Sequence, residues 1–264
     1  MTTGVAIHGA AGRMGRRLIA LAREDPGLRL ADAGEAPDCP FLGQDAGLLA
    51  GGSALGIDLR AGLSRPADVV IDFSIPRALG QVLESCTSRG VALVVGTTGL
   101  SDADHAAIDA AGRTIPVLQA PNMSLGVNLL LALAGRVAQQ LGDDYDIEIA
   151  EVHHRFKKDA PSGTALGLLQ AICAATGKDI RRDAVYDRHG GDVPRQRGQI
   201  GMHALRLGDA VGTHTVYFAG LGERLEISHV ATDRDVFARG ALRAAKWLAG
   251  KPAGRYRMAD VLGL

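Results

Sequence analysis

The sequence is short of cysteine and aromatic residues, carries no excess charge of either sign and has no long apolar run. Cys39, Cys86 and Cys173 lie far apart with no C-x-x-C spacing, which excludes a disulfide framework and a zinc knuckle. Lysine plus arginine (29) balance aspartate plus glutamate (29) without a basic tract. A non-specific nucleic-acid binder, which must neutralise many phosphates, is therefore excluded. A small anionic ligand is not, because one local cluster of positive charge suffices for it. The most apolar stretch, Leu125 to Gly135, is about half a membrane span and contains Asn128. From Met1-Thr2-Thr3 the chain passes straight into an apolar run, without the basic region, hydrophobic segment and cleavage site of a leader. The expectation is a cytoplasmic protein with no membrane or nucleic-acid partner and no metal.

What is present is material for a core. Of 264 residues, 47% are apolar, enough for one large domain or two modest ones. The first half alternates apolar runs with amphipathic stretches. Strands are expected at Gly4 to His8, Leu28 to Ala33, Val69 to Phe73, Val91 to Val95 and Ile115 to Gln119. Helices are expected at Arg13 to Arg23, after Pro76, and from Ser101 with Asp104 in a capping-box position. Strands that are apolar throughout and separated by helices indicate a parallel sheet covered on both faces.

The texture then changes. A helix from Ser124 to Leu141 leads into Asp146 to His153, which alternates with period two and so has one buried face. Another helix runs from Ser162 to Thr176, and residues 177 to 197, with little apolar content, read as a long loop. Three strands follow, at Gln199 to Leu207, Val211 to Ala219 and Arg224 to Ala231, with turns at Gly208-Asp209 and Gly220-Leu221-Gly222. A last helix covers Arg234 to Leu248 and can return to the first unit. The fold class is thus α/β: a Rossmann-like, doubly wound parallel sheet plus a central α+β domain with a mainly antiparallel sheet.

Two segments carry chemistry. Gly9-Ala10-Ala11-Gly12-Arg13-Met14-Gly15 lies between a strand and a helix, where small residues let backbone approach a pyrophosphate at the positive helix end. Its G-x-x-G-x-x-G spacing departs by one residue from the usual dinucleotide fingerprint, but Glu35 follows about 20 residues on, placed to accept from a ribose diol. A carboxylate there repels a 2′-phosphate, and Ala36 supplies no neutralising cation, so NADH is favoured over NADPH, with Arg13 within reach of a phosphate. Gly96-Thr97-Thr98-Gly99 and Ala120-Pro121-Asn122-Met123 follow later strands at the same sheet edge. Ordinary turns are the alternative for each loop.

The second segment is His153-His154-Arg155-Phe156-Lys157-Lys158-Asp159-Ala160-Pro161-Ser162-Gly163-Thr164. Its cations, followed by a small-residue helix start, suit a small di-anion, and a histidine or lysine there can deliver a proton. A solvated basic loop is the alternative. Neighbouring strand histidines point to opposite faces, and His-His lacks the spacing of a helical zinc pair. No role is assigned to His8, His105, His189, His203, His214 or His229.

Together, the glycine loop with Glu35, Asp72-Phe73-Ser74, Gly96 to Gly99, Ala120 to Met123, Glu151 to Thr164 and the strands from Gly198 to Gly222 resemble the dihydrodipicolinate reductase family of diaminopimelate and lysine synthesis. The resemblance implies a dinucleotide-binding domain at 1–123 completed by 232–264, and a substrate and oligomerisation domain at 124–231 of a homotetramer. It implies His153 as acid/base and Lys157 as proton donor. His154, Gly163 and Thr164 would then contact a dicarboxylate substrate. Gly9, Ala10, Ala11, Gly12, Arg13, Met14, Glu35, Gly96, Thr97, Thr98, Ala120, Pro121, Asn122 and Met123 would contact the nicotinamide cofactor. Ala36 and Phe156 stand where some members carry arginine and histidine. The rival readings are another small α/β reductase, a semialdehyde dehydrogenase, which needs a nucleophilic cysteine, and a non-catalytic nucleotide sensor, which has no use for a proton donor beside an anion site.

Overall fold

Gly4 to His8 are buried without a break because strand β1 (Thr3–His8) lies inside a sheet covered on both faces. The structure is a computed structural model describing residues 2–264. After β1 come α1 (Arg13–Glu24), β2 (Leu28–Glu35), α2 (Ala46–Leu49), β3 (Arg60–Ala61), β4 (Val69–Asp72), α3 (Leu79–Arg89), β5 (Ala92–Val95), α4 (Asp102–Ala111) and β6 (Pro116–Gln119). Then follow α5 (Leu125–Leu141), β7 (Asp146–His153), α6 (Gly163–Thr176), α7 (Ile180–Asp183), β8 (Ala184–Val185), β9 (Ile200–Arg206), β10 (Gly212–Gly220) and β11 (Glu223–Ala231). The chain ends with α8 (Asp235–Leu248), β12 (Gly254–Tyr256) and α9 (Met258–Leu262). It divides into two units, one running to residue 125 and taking back 235–264, the other spanning 126–234.

The first unit holds a parallel sheet in the order β12-β6-β5-β4-β1-β2-β3. On one face Val5 and Ile7 pack with Leu18 and Ile19 of α1 and Ala241 and Leu242 of α8. On the other, Ala6, Val70 and Leu93 meet Leu79, Val82 and Leu83 of α3 and Ile108 of α4. The strand order reverses at β1, which pairs with β2 on one side and β4 on the other. In such sheets ligands sit outside the carboxyl ends at the reversal, where residues 9–12 and 73–74 lie.

Several local readings change. The second strand runs on to Glu35, and β3 is too short at two residues for any periodicity to mark it. Pro76 opens a 3-10 turn, Pro76–Ala78, and α3 begins only at Leu79. Ser101 and Asp104 do form a reciprocal capping box at α4. The stretch expected as a bare loop at 177–197 contains α7, capped by the Asp179 side chain, and β8. Both are sustained by local hydrogen bonds and a strand edge, which a count of apolar residues does not register.

The second unit has the sheet order β11-β10-β7-β9-β8. It is mixed: β10 is antiparallel to β7 and β11, whereas β9 is parallel to β7 and β8. Gly220-Leu221-Gly222 closes a true hairpin, but Gly208-Asp209 joins strands that have β7 between them. One sheet face packs Ile147, Ile149, Val216 and Phe218 against Leu130 and Ala134 of α5 and Leu168, Leu169 and Ile172 of α6. Burial alternates along β7, so Ile147, Ile149, Glu151 and His153 share the covered face.

Candidate active site

In the first unit the glycine loop is shaped by contacts that leave no room for side chains. Gly9 has φ +78°, and a Cβ there would lie 2.7 Å from the Phe73 carbonyl oxygen. A Cβ on Gly15 would come within 2.2 Å of the Gly9 carbonyl oxygen, so α1 can start against the loop only as glycine. Gly12 precedes α1 without a side-chain cap, which leaves the first N–H groups of that helix to an external acceptor. Glu35 stands at the end of β2, its Oε2 accepting from the Ala11 N–H at 2.9 Å and its Oε1 from the Ala36 N–H at 3.0 Å. Gly9, Gly12 and Glu35 open on a cleft of about 870 Å³, lined also by His8, Asp38, Phe73, Ser74 and Arg77. A backbone cradle, an uncapped helix start and a carboxylate at the next strand end fit a dinucleotide.

The remaining candidate cofactor residues differ in exposure: Met14 and Asn122 are half-buried and Gly96 is buried. Gly12, Arg13, Thr98 and Pro121 are exposed. Ala10, Ala120 and Met123 are core residues, available to a ligand only through their backbone. Thr97 is buried, and its hydroxyl donates to Asp72 Oδ2 at 2.7 Å while accepting from the Ser74 N–H at 3.0 Å. Asp72 Oδ1 takes His8 Nδ1 at 2.8 Å and the Ser74 hydroxyl at 2.6 Å. His8 and Asp72 are direct partners in the β1–β4 register. Sequence reasoning gave His8 no role; the structure puts it in a polar knot that fixes the loops after β4 and β5. An aspartate ending an otherwise apolar strand was the available signal.

In the second unit β7 ends at His153, so the strand rule for neighbouring histidines no longer binds His154. His153 is buried, and its Nδ1 is hydrogen-bonded to Glu151 Oε2. Glu151 is itself 0% exposed. Arg206 forks it, Nη1 to Oε2 at 2.9 Å and Nη2 to Oε1 at 2.8 Å, and the Ser162 N–H adds a bond at 3.1 Å. Burial alone would raise this carboxyl, but Arg206, His153 and the Ser162 N–H hold it below the usual carboxylate range. Burial keeps the His153 imidazole below its ordinary value, although Glu151 pulls the other way.

Lys157 is paired with Asp159 at 2.8 Å, and His154 Nδ1 is buried with no hydrogen-bond partner. Ser162 caps α6 by accepting from the Ala165 N–H at 3.2 Å, which leaves the N–H of Gly163, at the helix start, outside the cap. Thr164 occupies the next position in that first turn. His214 Nε2 lies 3.0 Å from the Ser162 hydroxyl, and burial pushes its imidazole down to about 4. Glu151, Arg206, Ser162 and His214 were not among the expected site residues. Glu151 was within reach of the period-two pattern, which sets an acid on the apolar face of β7. Arg206 was not, because its place opposite His153 comes from a parallel register that no local pattern encodes.

Among the described residues no cluster of three or more His, Cys, Asp or Glu side chains is arranged to hold a metal ion. Nor is any helix long and apolar enough to cross a membrane. Two of the three cysteines are closed off from nucleophilic chemistry: Cys86 and Cys173 are buried, and burial pushes Cys86 up to about 12, while Cys39 is half-buried.

A Rossmann-like domain, joined in one chain to a mixed-sheet domain that carries the buried Glu151–His153 pair, is the frame of a nicotinamide-dependent reductase. The family description "Dihydrodipicolinate reductase, N-terminus" matches residues 3–123, and "Dihydrodipicolinate reductase, C-terminus" matches residues 126–262. The chain belongs to the dihydrodipicolinate reductase family. It is 54% identical to the 4-hydroxy-tetrahydrodipicolinate reductase of Alkalilimnicola ehrlichii over 100% of both chains. It is 50% identical to the enzyme of that name from Thiobacillus denitrificans, again over 100% of both. A dipicolinate-bound dihydrodipicolinate reductase from a Paenisporosarcina species shares the fold, with a TM-score of 0.77 at 22% identity, covering 98% of this chain and 99% of that one. An aspartate semialdehyde dehydrogenase from Vibrio cholerae matches at a TM-score of 0.53 and 10% identity, a likeness of fold alone.

Proposed function

We propose that this protein reduces 4-hydroxy-tetrahydrodipicolinate, via dihydrodipicolinate, to tetrahydrodipicolinate with NAD(P)H, in cytoplasmic diaminopimelate and lysine synthesis. The observation that carries the reading is full-length relatedness, at about half identity, to reductases of that name, with the His153–Thr164 segment inside the matched region. Residues 1–123 with 232–264 serve the nucleotide, and 124–231 serve the substrate and assembly as a homotetramer. On the sheet face turned away from α5 and α6, Leu205 of β9 and Val230 of β11 lie in one cross-strand row and are exposed, which supports self-association.

The substrate is a ring with two carboxylates. The Gly163 N–H at the start of α6, the Thr164 hydroxyl and His154 meet one or both of them, and Lys157 adds positive charge. Fixing the ring in this way converts a bimolecular encounter into an oriented one and stabilises negative charge as it develops. Loss of water from the hydroxylated ring gives a conjugated cyclic imine. A reduced nicotinamide held at the glycine loop and Glu35 would supply the hydride that this imine needs, and the enamine so formed takes a proton. Lys157 is the proton donor, and His153, tied at Nδ1, offers Nε2 as acid/base.

The cradle favours NADH. A 2′-phosphate at the end of β2 would face Glu35 and Asp38 in the cleft lining, with Arg77 as the cation there. Arg16 is turned away, its Nε on the Ala11 carbonyl at 2.8 Å and its guanidinium over the Phe41 ring. Parallel assays of NADH and NADPH with freshly generated substrate test both parts. The expected result is turnover with a higher kcat/KM for NADH. A strong NADPH preference overturns the cofactor assignment, and absence of turnover with either overturns the function.

A further inference from the structure

We propose that Glu151 is a positioning residue: its bond to His153 Nδ1 selects the tautomer that leaves Nε2 as the reacting nitrogen, and Arg206 sets how strongly that bond acts. The inference rests on the reading of His153 as the acid/base and deepens it.

A histidine ring nitrogen that bonds a carboxylate keeps its proton there, so the other nitrogen carries the lone pair. Here the carboxylate is ionised and immobile. It is completely buried, forked by one guanidinium and anchored by a backbone N–H. Arg206 is fixed in turn by a bond from Nη2 to the Asp159 carbonyl oxygen at 2.6 Å. The opposite side of the imidazole is kept open by Gly212 of β10, where a Cβ would lie 3.0 Å from Nε2. The arrangement thus grips one nitrogen and leaves space beside the other.

The charged and titratable groups around the imidazole come from every element packed on it. They are Glu151 on β7, Arg206 on β9, His214 on β10, whose ring centroid is 5.1 Å away, and Lys157 with its partner Asp159 after β7. Glu151 stabilises the imidazolium; Arg206, Lys157 and burial oppose it. Glu151 and Arg206 therefore act on His153 with opposite sign, although they are bonded to each other.

The test is the titration of His153 by NMR in ring-labelled protein, assigned by loss of its signal in His153→Asn. In the wild type, nitrogen shifts should show a proton on Nδ1 and none on Nε2 once the ring is neutral. Glu151→Gln, which keeps the shape and an acceptor oxygen, should lower the midpoint by about one pH unit. Arg206→Met should raise it, and Arg206→Lys should raise it less. In turnover assays Glu151→Gln should lose at least tenfold in kcat with NADH affinity unchanged, and Glu151→Asp should recover part of the loss. An Nε2–H tautomer in the wild type, an unmoved midpoint in Glu151→Gln, or shifts of the same sign in the Glu151 and Arg206 variants would overturn the proposal. The wild-type tautomer requires no variant to fold. The expected titration in a protein without turnover would overturn the reductase reading and support the Glu151–His153 arrangement.

Discussion

Lys157 is the side chain on which the chemistry is most directly tested. Its ammonium is held by Asp159, whose side chain is 59% exposed, and exposed pairs of this kind contribute at most about 1 kcal/mol. A substrate carboxylate can therefore replace Asp159 at little cost, while the lysine stays in place. Lys157→Ala should lower kcat by about 100-fold or more, the usual range for a lost general acid, with NADH dissociation unchanged because the cradle lies in the other unit. Near wild-type turnover in that variant would remove the lysine as proton donor. Residue type made this segment a candidate: a run of cations followed by Pro-Ser-Gly-Thr suits an anion, with a solvated basic loop as the alternative, and the resemblance singled out Lys157 within it. Arg206 shows the limit. It lies 55 positions from Glu151, and only the β7–β9 register brings it there.

At the scale of elements, the ends of β1 and β4 and the loop after β5 are tied by one carboxylate. Asp72 is completely buried and accepts from His8, Ser74 and Thr97. The Ser74 N–H in turn donates to the Thr97 hydroxyl. Asp72→Ala strips three donors of their acceptor at once, two of them, His8 and Thr97, buried. A loss of about 3 kcal/mol is expected, read as a lower urea midpoint, together with weaker NADH binding as the loops after β4 and β5 lose their common anchor. Unchanged NADH affinity in a destabilised variant would confine Asp72 to stability. The strands themselves were legible because short apolar runs alternating with amphipathic helical stretches fit a doubly covered parallel sheet. The tie between them was not, since an aspartate at a strand end reads equally well as a solvated terminus.

For the molecule as a whole, charge balance and buried histidines together decide the response to acid. Basic and acidic residues cancel at neutral pH, so general self-repulsion is small there. The buried imidazoles respond as pH falls. His214 falls from an ordinary 6.5 to about 4 through burial, first of all, and the neighbouring His153 charge. A folded-state value below the unfolded one means that stability is complete above about pH 6.5 and is lost as pH falls towards 4. The difference corresponds to about 3 kcal/mol at the acid end. His153 is lowered in the same sense, and Glu151, also lowered, adds its loss only below its ordinary carboxylate range. Urea midpoints should therefore be level from pH 8 to 7 and decline steadily from pH 6.5 to 4.5. His214→Asn, which keeps a polar group towards Ser162 and removes the titrating ring, should flatten that decline by about 2 kcal/mol. If the variant kept the full wild-type slope, the burden of acid sensitivity would lie with His153 and His229, whose imidazoles burial also lowers, and the burial of His214 would be without thermodynamic consequence.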